Sequence, residues 1–142
     1  MSQETRSIRG KRALIVEEEF YSRWYIRRLL SPYTRCDVVV RGEEAVDVFR
    51  LSMDSGTPYA LILLDMLLPE MDGAAVLREI RAIERRRSAR EGRRAKIILI
   101  TPDGELQEVP EQMRNQCEGL LPKPIDKSDL LYQLRSLGLI SA

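Results

Sequence analysis

The sequence predicts a doubly wound α/β domain, with five short parallel strands in one sheet and helices on both faces. Two observations carry this. Near-continuous apolar runs of strand length recur, as in Leu61-Ile62-Leu63-Leu64 and Ile97-Ile98-Leu99-Ile100, which is how strands buried on both faces read. These runs alternate with segments of helical period, strand then helix, five times over. Such alternation implies a parallel sheet with crossover helices, and right-handed crossovers leave few topologies open. At 142 residues the chain is of one-domain size and long enough for a full hydrophobic core.

The elements follow in order. Residues 1–10 (MSQETRSIRG) read as a polar, disordered N-terminal tail, and 11–142 as a single domain. Ala13-Leu14-Ile15-Val16 is a short buried strand running into Glu17-Glu18-Glu19. From Phe20 the pattern turns helical, with Phe20, Trp24, Ile26, Leu29 and Leu30 assigned to one face, until Ser31-Pro32 stops it. Residues 36–40 (CDVVV) are β-branched enough for a second strand. A second helix spans Glu43 to Met53 with Ala45, Val46 and Phe49 inward, and the turn residues 54–58 break it.

The third strand, 59–65, ends on Asp65 and leads through a turn into a third helix over 72–87, striped by Val76, Leu77, Ile80 and Ile83. Lys96 to Thr101 forms the fourth strand and residues 119–121 the fifth, closed by Pro122-Lys123-Pro124. Only a weak helix fits 104–116, because Pro110 interrupts it. The last helix, 126–137, buries Leu130, Leu131, Leu134 and Leu137, with Asp126 or Ser128 as its cap.

Composition narrows the chemistry. Histidine is absent, which excludes Ser/His/Asp and Cys/His catalysis, histidine-ligated metals and a phosphohistidine on this chain. Cys36 and Cys117 show no metal-ligand spacing and no signal peptide precedes them, so reduced thiols and a cytoplasmic location are expected. No apolar stretch reaches membrane-spanning length. Net charge is +1, but residues 81–96 carry a net +6 and the rest of the chain −5. For the arginine-rich 85–96 segment a solvated helix end comes first and a docking surface for an acidic partner second. Nucleic acid comes last, since no aromatics are interleaved.

In such a sheet the strand ends share one rim. Glu17, Glu18, Asp65, Thr101 and Lys123 therefore collect there. Each has an ordinary reading alone: a helix-dipole acid, a cap, a turn hydroxyl, a solvated lysine. Together, hard carboxylate oxygens suit Mg²⁺, and a hydroxyl and an ammonium suit phosphoryl oxygens. Asp65 could then act as a nucleophile and form an acyl phosphate.

The motifs LIVEEE (14–19), LILLDMLLPEMDG (61–73), IILIT (97–101) and LLPKP (120–124) stand in an order that resembles a response-regulator receiver domain of two-component signal transduction, of the chemotaxis-response-regulator type. The resemblance covers residues 11–139, and the 22-residue separation of Thr101 and Lys123 is similar to the family spacing. It implies a flavodoxin-like strand order of 2-1-3-4-5. It also implies that Asp65 accepts a phosphoryl group from a sensor histidine kinase or phosphotransfer protein. Mg²⁺ would be held by Glu17, Glu18, Asp65 and the backbone carbonyl of Leu67. Thr101 and Lys123 would contact the phosphoryl oxygens, Thr101 moving on activation, and the Lys123-Pro124 bond would be cis.

Several positions depart from the family pattern. The acidic pair is Glu-Glu, and the extra methylene of Glu18 extends its carboxylate by about 1.5 Å. Pro102 follows Thr101 and offers no backbone N–H. Leu120 stands where an aromatic reports phosphorylation in relatives, and Pro110 weakens the fourth helix. Leu67 is apolar where a polar side chain helps orient attacking water, which implies slow self-dephosphorylation, although Asp103 could still serve.

The expected function is a stand-alone receiver, a phosphoacceptor rather than an enzyme, which signals by contact with an unknown downstream protein. The alternative is a degenerate receiver acting as a constitutive interaction module. A homodimer is compatible with the chain; a membrane or nucleic-acid partner is not expected.

Overall fold

The computed structural model describes residues 12–87, 93–102 and 109–141. Within them the chain alternates strand and helix: β1 (Arg12–Val16), α1 (Phe20–Leu30), β2 (Arg35–Val39), α2 (Gly42–Asp54) and β3 (Tyr59–Asp65). Then come α3 (Gly73–Arg86), β4 (Lys96–Thr101), α4 (Glu111–Arg114), β5 (Gly119–Pro122) and α5 (Lys127–Ser136). All strand pairings are parallel, in the order β2-β1-β3-β4-β5. This is the doubly wound arrangement that the alternation predicts. The expected tail (1–10), Asp103 and residues 88–92 of the arginine-rich segment lie outside the described residues, as does the first half of the weak 104–116 helix. Its second half forms the short α4 directly after Pro110.

Alternation along each strand sorts the core into two layers. Leu14, Val16, Ile62, Leu64, Ile97 and Leu99 face α2, α3 and α4, where they meet Phe49, Val76, Leu77, Ile80 and Met113. Ala13, Ile15, Leu61, Leu63, Ile98 and Ile100 face α1 and α5 and pack on Ile26, Leu30, Leu130 and Leu134. Each fully buried Leu or Ile contributes about 1.5–3 kcal/mol. That is why the central strands tolerate almost no polar residue before their last position.

Helix ends follow local chemistry. Asp72 caps α3 by accepting from the Ala75 N–H, and Asp126 caps α5 through the Asp129 N–H, so Asp126 rather than Ser128 is the cap. Leu131 and Leu137 are only half-buried. One expectation is corrected: Phe20 and Trp24 do not face the core with Ile26 and Leu30. At 3.6 residues per turn Trp24 lies about 200° around the helix from Ile26. The buried stripe is Ser22, Ile26 and Leu30.

The amino-terminal edge of the sheet is tied by charged groups. Arg81, on α3, donates to the carbonyls of Gln116 and Ala95 (both 2.9 Å), to Glu84 (2.8 Å) and to Glu118 (3.0 Å). Glu84 and Glu118 in turn accept the backbone N–H groups of Ala95 and Ile97. Asp37 on β2 accepts from Arg12 at 2.9 Å and from the Tyr59 hydroxyl at 2.6 Å, joining the starts of β1, β2 and β3.

Candidate functional site

The opposite, carboxyl-terminal edge gathers the predicted residues. Sheet-like hydrogen bonds run one step past the strands and fix their positions: Glu17 N–H to the Val39 carbonyl, Met66 N–H to Ile100, and Lys123 N–H to Thr101. Asp65 ends β3 and is buried. Its Oδ1 accepts the Leu67 N–H at 2.9 Å, and its Oδ2 faces Lys123 Nζ at 3.4 Å. Glu17 is fully buried; its Oε2 accepts from the Glu19 N–H at 2.9 Å and from Lys123 Nζ at 3.2 Å. One ammonium therefore spans two buried carboxylates.

Two polar atoms are left over. Glu17 Oε1 and Thr101 Oγ1 are buried with no hydrogen-bond partner among the described residues. Burial raises the Glu17 pKa from 4.5 to about 7, helped by the side chain and charge of Asp65. Lys123 loses solvation, which opposes its charge, but Asp65 and Glu17 outweigh that and its pKa is raised. A buried carboxyl whose pKa is raised by desolvation and a neighbouring acid, in a cleft at the sheet edge, marks a candidate functional site.

The three glutamates that end β1 separate. Glu17 points inward. Glu18 is exposed, and no described side chain pairs with it. Glu19 is the N-cap of α1, accepting from the N–H groups of Tyr21 and Ser22 and from the Ser22 hydroxyl, which hold its pKa low. Among the described residues no three acidic or thiol side chains converge as a metal cage. The geometry thus joins Glu17, Asp65 and Lys123, with Thr101 beside them, and leaves Glu18 apart.

Several features were not singled out from the sequence. Gly73 lets the β3–α3 turn close on the site. A Cβ there would lie 2.7 Å from Met66 Cα and 2.8 Å from the Asp65 carbonyl oxygen, while its N–H bonds Met66 O at 2.9 Å. The Asp72-Gly73 pair after an apolar turn was its only signal. Arg23 Nη1 donates to the carbonyls of Glu18 (2.9 Å) and Glu17 (3.3 Å) and pins the β1–α1 turn. Nothing local in the sequence marks that contact. The Lys123-Pro124 bond is cis, as the resemblance implies.

Beside Lys123 runs a groove of about 440 Å³ lined by Glu19, Tyr21, Ser22, Tyr25, Lys123, Pro124 and Ile125. Its α1 wall continues into an aromatic surface: Phe20 is 68% exposed, Tyr21 60% and Trp24 45%. Arg23 and Arg28 stack on the rings of Phe20 and Trp24. At the far edge, Leu120 is half-buried, and Gln133 Nε2 of α5 donates to its carbonyl at 2.7 Å.

Comparison with known proteins agrees with this fold. The family model for the response regulator receiver domain matches residues 13–135. Two-component response regulator 24 of Arabidopsis thaliana is 32% identical over 127 residues, covering 89% of this chain and 83% of the relative. Transcriptional regulatory protein SrrA of Staphylococcus aureus is 29% identical over 126 residues; the match takes in 87% of this chain but 46% of that longer protein. Among solved structures, the receiver domain of sensor histidine kinase PA1611 from Pseudomonas aeruginosa PAO1 is 30% identical with a TM-score of 0.70, covering 89% of this chain and 96% of that one. That structure holds a magnesium ion in its active-site cleft. No described helix is long and apolar enough to cross a membrane. With the strand order, the buried carboxylate pair and these matches in hand, the chain belongs to the response-regulator receiver domains of two-component systems.

Proposed function

We propose that Asp65 accepts a phosphoryl group from a phosphohistidine on a partner kinase or phosphotransfer protein, in a Mg²⁺-dependent reaction, and that the domain signals through protein contacts. The observation that carries this reading is the Glu17–Asp65 pair spanned by Lys123, with Glu17 Oε1 and Thr101 Oγ1 left unsatisfied beside it. An Asp65 oxygen attacks phosphorus, the bond to the donor nitrogen breaks, and the imidazole leaves as the acyl phosphate forms. Lys123 can pivot from the Asp65 carboxylate to a phosphoryl oxygen. The Thr101 hydroxyl has a free proton to donate to another. Pro102 has no N–H, so one contact of that type is missing.

The donor set fits Mg²⁺, which takes one or two carboxylates and keeps several waters. Glu17 and Asp65 would hold it, with the Leu67 carbonyl and Glu18 as further ligands. When bound, the ion would neutralise the charge that accumulates on the transferring oxygens. The aromatic face of α1 borders the Lys123 groove and is where we expect the phosphodonor protein to sit. With apolar Leu67 exposed at the mouth, self-dephosphorylation should be slow; a phosphorylated lifetime of seconds after donor removal would contradict that.

A second reading is a constitutive interaction module that needs no phosphoryl group. The exposed Glu18 and the Gln133 clamp on Leu120 favour it, because the clamp holds α5 against β5 where relatives carry a mobile aromatic. One experiment separates the two. Incubate the protein with Mg²⁺ and acetyl phosphate or beryllofluoride, and follow intact mass and amide exchange. A phosphoryl adduct on the wild type that is absent in Asp65→Asn supports the switch. No response at millimolar Mg²⁺ supports the module.

A further inference from the structure

At the amino-terminal edge of the sheet, about as far from Asp65 as the strands allow, a cleft of about 350 Å³ is lined by Arg81, Arg85, Arg94, Asn115, Gln116 and Glu118. Its floor is fixed. Arg81 is buried and held by Glu84, Glu118 and two carbonyls, and the Glu118 charge is answered by Arg81 and the Ile97 N–H. The walls are different. Arg85 and Arg94 are exposed, and Arg86, Arg93 and Lys96 lie on the same edge of the sheet. Arg85, Arg86, Arg93 and Lys96 meet no carboxylate among the described residues.

Helix-dipole compensation accounts for a basic residue or two at the end of α3. It does not account for Arg94, which reaches the same cleft from the approach to β4, with Arg93 beside it in sequence. Guanidinium forks suit carboxylate pairs, and the Asn115 and Gln116 amides add neutral donors. We infer that this cleft is a docking site for a carboxylate-rich segment of a protein partner, separate from the phosphoacceptor edge. Charge selects the occupant. The described residues 81–87 and 93–96 carry a net +6 while the chain as a whole carries +1, so a short acidic peptide touches only the basic patch, whereas a long duplex would also meet the acidic body. No aromatic residue lies within 81–96 to stack on bases.

The test titrates full-length protein with a fluorescein-labelled oligoglutamate peptide and reads anisotropy. Saturable binding is expected, weakening by about tenfold between about 50 and 200 mM salt. The double variant Arg85→Gln, Arg93→Gln should lose binding by at least about tenfold with an unchanged melting curve, since both side chains are exposed and neither meets a carboxylate among the described residues. Asp65→Asn should bind as the wild type does, which keeps this site independent of the phosphoacceptor reading. Three results would overturn the inference: no saturable binding at low salt, full binding by the double variant, or tighter binding of a DNA duplex than of the peptide.

Discussion

The two ends of the one sheet both bury charge, yet they treat it in opposite ways. At the amino-terminal end every donor of the Arg81 guanidinium that reaches an acceptor does so at 2.8–3.3 Å; the second Glu84 oxygen accepts the Ala95 N–H, and Glu118 Oε1 accepts the Ile97 N–H as well as Arg81. At the carboxyl-terminal end two carboxylates share one ammonium at 3.2 and 3.4 Å, and two buried oxygens have no partner among the described residues. The Arg81 arrangement is complete and structural, although Arg12 Nε on the same edge has no partner among the described residues. The second is incomplete in a way that costs stability by itself, and the proposed Mg²⁺ and phosphoryl group would complete it. The same fold thus separates a latch from a site.

The largest effect should come from breaking the latch. Arg81→Met removes the only cation among the described residues that faces Glu84, and leaves that buried carboxylate with the Ala95 N–H alone. Loss of one partner of a buried pair costs about 3–5 kcal/mol, enough to unfold many domains of this size. Urea melts should show it, together with a midpoint shift at constant slope. If Arg81→Met melts like the wild type, the latch is decoration and the contrast between the two ends fails.

Next in size is Gly73→Ala. The added Cβ would press on Met66 Cα and the Asp65 carbonyl at under 3 Å, and both are backbone that cannot rotate away. A loss of about 1–3 kcal/mol is expected. Because the displaced backbone carries Asp65, modification by acetyl phosphate should fall further than stability does. Intact-mass time courses on the folded fraction measure that difference.

Removing charge from the incomplete end should do the reverse of Arg81→Met. Glu17 titrates near 7 in the folded protein and near 4.5 when unfolded. Between those values the unfolded chain gives up the proton that the native state keeps. Native stability therefore falls as pH rises from about 4.5 to about 7, and is level above that. Glu17→Gln should flatten that slope and raise stability at pH 8 by about 1–2 kcal/mol, while weakening Mg²⁺ binding. Thermal melts across the window check the first two, and a calorimetric Mg²⁺ titration the third.

Most of the sheet was legible because apolar runs and their carboxyl-terminal polar residues are local signals. Val16-Glu17, Leu64-Asp65 and Ile100-Thr101 each mark a strand end without reference to the rest of the chain. The separate fates of Glu17, Glu18 and Glu19 were not legible. Consecutive identical residues look alike until the turn that Arg23 pins gives each its own direction. The Arg81 hub was equally hidden, since its partners lie 3, 14, 35 and 37 residues away. Phe20 and Trp24 were misplaced for another reason. Large aromatics are ordinarily core residues, and only the phase set by Ser22, Ile26 and Leu30 turns them out.

That misplacement yields the smallest effect on stability and the sharpest test of use. Phe20→Ser with Trp24→Ser alters side chains already in solvent, so the folding free energy should stay within about 0.5 kcal/mol of wild type. The small phosphodonor needs no protein surface, so the rate of adduct formation with acetyl phosphate should be unchanged. On the proposed reading, transfer from a phosphohistidine protein would seat that protein's surface over Lys123, next to the exposed rings. The double variant should slow that transfer at least about tenfold, the loss expected of removing an aromatic anchor from an interface. Equal slowing with both donors would mean the rings support the site rather than greet a partner. No slowing with either would move the docking face away from α1 altogether.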